Sequence, residues 1–151
     1  MKKTIFILLL IVTTFTFAND KIQSQYKSIE RNLLVGINSD NRGLKLSSAY
    51  FLGEIKSDKA IIPLLSILHN SDECCARQVA ALSLFKINSD RGMFAIKQAI
   101  KFEDNEQTKK IYKILYVQHL KRIAEGQIEV EPIFSKMDLT YSGYKLSDFA
   151  D

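Results

Sequence analysis

An interval of 32 residues governs this chain. Asn38-Ser39-Asp40 falls over Asn70-Ser71-Asp72, Ser57-Asp58 falls over Ser89-Asp90, and Asp104 lies a further 32 residues beyond Asp72. Self-similarity at a period of about 20–50 residues is the mark of repeat architectures, in which no single unit can bury its own apolar face and neighbours must stack. The expected fold is therefore all-α, a short α-α superhelix of stacked antiparallel helix pairs with an irregular C-terminal tail.

Each aligned column has a mechanical reading. In the first helix of each pair Ala49 aligns with Ala81, Leu52 with Leu84 and Ile55 with Ile87, which sets small and large apolar residues on one face. Small residues let helices approach closely. In the second helix Ile61 aligns with Met93, Leu64 with Ile96 and Leu68 with Ile100, an i, i+3, i+7 stripe directed at the first helix. Both helices of a pair thus carry a side that only a neighbour can cover.

Periodicity places six helices. Ile22, Tyr26, Ile29, Leu33 and Ile37 form one stripe over residues 20–37, and Asn38 to Asn41 break it with turn-forming side chains. A second helix runs from Leu44 to Ile55. Asp58 is expected to cap a third that ends at His69, and Asp72 a fourth that ends at Ile87. A fifth opens at Asp90 or Arg91 and ends near Phe102, and a sixth spans Thr108 to Ile123. Pro63 falls near the start of its helix, where a missing N–H costs least.

The ends read differently. Met1-Lys2-Lys3, the apolar run Ile5 to Val12 and the small residues of Thr16-Phe17-Ala18 have the layout of a secretory signal peptide, residues 1–18. The run is shorter than the roughly 20 residues of a spanning helix. The competing reading is an uncleaved anchor. With the leader go Lys2 and Lys3, so the formal charge falls from +4 to +2. A near-neutral exported chain has no electrostatic reason to seek nucleic acid, and no membrane insertion is expected after cleavage. The repeat domain takes residues 19–124. Residues 125–151 leave the register, with Ile133, Phe134 and Leu139 available either to cap the last unit or to dock on a partner.

The aligned positions resemble the HEAT repeat family, in particular the short bacterial repeats of the phycobilin-lyase type. Asp72, Arg77, Ala80, Ala81, Leu84, Ile87, Asp90 and Ile100 fall on that pattern, as do Asp40, Lys45, Ala49, Leu52, Gly53, Ile55, Asp58, Ala60 and Leu68 one unit earlier. The resemblance covers residues 28–122 and implies an armadillo-type superhelix. It also implies that an inter-repeat Asp and a cation near the next helix start join adjacent units, here Asp40 with Lys45 and Asp72 with Arg77. Lys45 replaces the family's Arg, and Phe85 stands in the column where Gly53 matches the pattern.

If the second helices line the inner surface, as the resemblance implies, three rows cross it at intervals of 32: Glu30, Ile62 and Phe94; then Leu33, Leu65 and Lys97; then Ile37, His69 and Lys101. Ile62, Leu65, His69, Phe94, Lys97 and Lys101 are the expected protein-binding residues, apolar anchors beside cations suited to an apolar, mildly acidic partner. The alternative is that Ile62 and Phe94 merely pack between neighbouring helices.

Chemistry finds no foothold in the sequence. His69 and His119 are 50 residues apart and neither lies at metal-ligand spacing. The six glycines are scattered, so no phosphate loop is expected. Cys74 and Cys75 are the only cysteines. As neighbours they form either a strained bridge or two small residues packed at a helix start. Lys109, Lys110, Lys113, Lys121 and Arg122 make the sixth helix basic, which a solvated face explains. No catalytic residue, metal or cofactor is expected. The expected role is an exported, periplasmic or secreted interaction module, a scaffold or assembly subunit of the cell envelope; the alternative is an inhibitor or immunity-type protein that covers a partner enzyme's active site.

Overall fold

A computed structural model of the chain describes residues 24–126, so the expectations for the leader and for residues 127–151 lie outside the described residues. Within them the chain is all-α, with no strand. Helix α1 occupies residues 24–36, followed by α2 (Arg42–Glu54), a 3-10 turn (Asp58–Ala60), α3 (Ile61–Asn70), α4 (Cys74–Ile87), α5 (Asp90–Phe102) and α6 (Glu106–Ala124). Among the described residues no helix is long and apolar enough to cross a membrane.

The helices pack in pairs, with α4 at the centre. It touches α2, α3, α5 and α6, while α3 also packs on α5 and α5 on α6. The reason is written in α4's composition: Ala76, Ala80, Ala81, Ser83, Leu84, Phe85 and Ile87 are all buried, so apolar and small residues surround the helix rather than stripe it. Closest approach comes where α2 crosses α4. A Cβ added to Gly53 would lie 2.6 Å from the Ser83 Cα, so only glycine fits there. Phe85 occupies the same column one unit later, is 5% exposed, and lies beneath the Arg122 guanidinium of α6, 4.2 Å from the ring centroid. One column thus holds a backbone contact in one unit and a filled gap in the next.

Four of the six repeat columns agree in burial, whereas Ile55 and Ile61 are half-buried where Ile87 and Met93 are buried. Ala49 and Ala81, Leu52 and Leu84, Leu64 and Ile96, and Leu68 and Ile100 are buried pair by pair. Each such large side chain contributes about 1.5–3 kcal/mol. The backbone repeats as well: Lys56 and Asn88, 32 residues apart, both take the left-handed conformation, with φ of 51° and 60°. These residues end the first helix of each pair. Leu120, the next position in the series, lies inside α6, so that helix runs on for 19 residues where α2 and α4 have 13 and 14.

Helix starts correct several expectations. Asn41, Ser89 and Asn105 cap α2, α5 and α6 by accepting the N–H of Leu44, Gly92 and Thr108. The helices α2 and α6 therefore begin two residues before Leu44 and Thr108. Asp58 is not a cap; it lies within the 3-10 turn, and Ser57 before it donates its hydroxyl to Glu30 instead. Nor does Asp72 cap α4. Glu73 takes that position without a side-chain cap bond, because its carboxylate accepts from the Arg42 guanidinium at 2.6 Å. In both places a contact some thirty residues away outcompetes the local one.

Candidate protein interaction surface

Polar contacts link successive units. Glu30 of α1 accepts from Ser57 Oγ and Lys59 Nζ, both at 2.6 Å, and these bonds hold its carboxyl below the usual range, Lys59 contributing most. Lys86 of α4 pairs with Glu54 of α2. Gln78 of α4 donates to Thr108 of α6 at 2.8 Å.

The most sheltered salt bridge among the described residues joins the start of α4 to the loop after α5. Arg77 grips Glu103 with two bonds, Nε to Oε2 at 2.9 Å and Nη2 to Oε1 at 2.6 Å, while Nη1 donates to the carbonyls of Ser71 and Asp72. Arg77 does reach Asp72, but by its backbone oxygen; the carboxylate it binds is Glu103. That bidentate grip, opposed by burial, holds Glu103 below the usual carboxyl range. Tyr112, fully buried beside this pair, has its phenol pushed up, first by burial and then by the Glu103 carboxylate. Asp40 and Lys45 do not form a salt bridge with each other. From α2 the cation that reaches the next unit, by pairing with Glu73, is Arg42, three residues before Lys45.

On this frame the expected surface residues separate. Ile62 is 59% exposed and Phe94 is 37% exposed, at matching positions of α3 and α5, which pack side by side. His69 and Lys101 are exposed further along the same helices. Leu65 is half-buried against the core. Lys97 is half-buried too, its ammonium 5.9 Å from the centroid of the Tyr116 ring on α6. The first members of the rows are not open: Glu30 is tied to Ser57 and Lys59, Leu33 is packed against the core, and Ile37, just past the end of α1, is 2% exposed.

Phe102 adds to this face and escaped the sequence reading. As the last residue of α5 it is 80% exposed. It borders a cleft of about 420 Å³ between the C-terminal ends of α3 and α5, together with Leu68, His69 and Asp104. The available signal was an aromatic residue in the column where the preceding unit has Asn70.

Other candidates for chemistry stand apart. Cys74 and Cys75 open α4 as free thiols, the first half-buried and the second exposed. His69 is exposed on α3, whereas His119 is buried on α6 with Nδ1 unpartnered among the described residues. No group of three or more His, Cys, Asp or Glu placed to hold a metal occurs among the described residues. No protein-family model, curated protein or solved structure matches the chain.

Proposed function

We propose that the chain is a short α-solenoid of the HEAT-like kind, working as a non-catalytic module that binds a partner protein through the open face of α3 and α5. One observation carries the reading: Ile62 and Phe94, two large apolar side chains a repeat apart, are exposed although Leu64 and Ile96, two positions on, are buried. Exposed apolar side chains on the same two helices as His69, Lys101 and Phe102 have the makeup of an interface, with apolar anchors and a charged rim. The stacking itself is supported by next-but-one contacts, α2 with α4, α3 with α5 and α4 with α6. The leader-like layout of residues 1–18 supports export, and hence a place among envelope assemblies.

The test is a pull-down from envelope extract with the chain lacking residues 1–18. A specific partner should be retained by the unaltered chain and by Phe51→Glu, an exposed change on α2, and lost with Ile62→Glu and with Phe94→Glu. Folded variants that keep every partner would remove the face from consideration. A single enzymatic partner held at nanomolar strength would assign the inhibitor role rather than scaffolding.

A further inference from the structure

The end of the stack carries its own argument, independent of the partner-binding face. The side of α4 that α6 covers holds Gln78, bonded to Thr108, half-buried Leu82 and buried Phe85. Shifted by 32, the same side of α6 holds Lys110, Ile114 and Val117, and Lys121 extends the line one further turn. It lies opposite the buried stripe of Tyr112, Leu115, Tyr116 and His119. Most of it is open among the described residues: Ile114 is 47% exposed, Lys110 and Lys121 are exposed with no salt bridge, and Val117 is half-buried. The outer face of α6 is therefore apolar at its middle and cationic at both ends.

The next stretch of chain matches it in sign and in apolar content. Residues 127–151 hold five acids against two lysines, with Glu129 and Glu131 flanking Val130 just ahead of Ile133 and Phe134. Gly126, at φ +67°, closes the turn that ends α6, donating to the Ile123 carbonyl. From Lys121 back to Lys110 is about 16 Å along the helix, a span that ten residues cover easily when extended.

We propose that residues 127–139 turn back at Gly126 and pack antiparallel across α6, with Ile133 and Phe134 on Ile114 and Val117 and with Glu129 and Glu131 meeting Lys121 and its neighbours. The segment takes the place that a further repeat would occupy. It turns an open end into a covered one without another helix pair.

Hydrogen exchange read by mass spectrometry on the monomeric full chain tests this. In about 0.1 M salt, amides of 128–139 should exchange at least about tenfold slower than an unstructured chain. Phe134→Asp and Ile114→Asp, on the two sides of the contact, should each abolish that protection while α4 stays protected. Molar salt, which shrinks the screening length to about 3 Å, should weaken it. Unstructured rates in the unaltered chain would overturn the proposal. So would protection that survives both substitutions, or protection that appears only as concentration rises, which would assign the face to a second copy.

Discussion

Replacing Gly53 with Ala asks whether α2 and α4 touch as closely as described, and the sign of the answer decides. Inside an exposed helix the exchange would stabilise by about 1 kcal/mol, since alanine is the better helix former. At Gly53 the new Cβ would sit 2.6 Å from Ser83 Cα, 2.7 Å from its Cβ and 2.8 Å from its Oγ. Overpacking costs about 1–3 kcal/mol, and the obstacle here is helical backbone rather than a movable side-chain tip, so the upper end applies. The balance is a loss of about 2 kcal/mol. For a domain near 100 residues that lowers Tm by roughly 8–16 °C. Urea denaturation should show a lower midpoint with unchanged m. Gly43→Ala, whose Cβ would meet only Asn41 Oδ1 at 3.4 Å, serves as the open-helix control. A Gly53→Ala chain as stable as the parent, or more so, would refute the close crossing.

Other expectations follow from the buried polar groups. Glu103→Gln should cost about 1.5–3 kcal/mol, because half-buried Arg77 would lose a charged bidentate partner while keeping its bonds to the Ser71 and Asp72 carbonyls. It should also flatten the acid limb of a stability profile: Glu103 titrates below its unfolded range, so its contribution is full above that range and is lost as pH falls through the folded value. His119 is held neutral chiefly by burial, with the α5 carboxylate Asp90 opposing and Arg122 on α6 reinforcing. Below about pH 6.5 the unfolded chain takes up a proton that the fold resists, so stability falls with acidity there. His119→Leu should remove that slope, as followed by urea midpoints between pH 5 and pH 8. Ile62→Glu should change stability by no more than about 0.5 kcal/mol, as measured in the same assay.

What could be read from the sequence was what repeats. Leu52 with Leu84 and Leu64 with Ile96 announce themselves because apolar spacing and the 32-residue shift point the same way, and their burial agrees. Polar partners were harder, since spacing along one helix says nothing of what lies in the next unit. Glu73 looks like an ordinary residue beside Asp72 until Arg42 arrives from 31 residues away, and Glu103 is passed over beside Asp104 until Arg77 grips it. Glu30 belonged to an expected surface row and is instead closed in by Ser57 and Lys59. Of that surface, Ile62 and Phe94 were placed by register alone, whereas Lys97 depended on the position of Tyr116 and Phe102 on where α5 stops.

The central claim is that successive helix pairs are the same object displaced by one repeat. An experimental structure of the full chain measures this directly, by superposing α2 and α3 on α4 and α5 with the 32-residue shift. The account predicts that Leu52 lands on Leu84 and Leu64 on Ile96, with α6 set against α4 on the side that matches α4 against α2. Pairs that superpose only at another shift, or an α2 packed on α5 in place of α4, would contradict it.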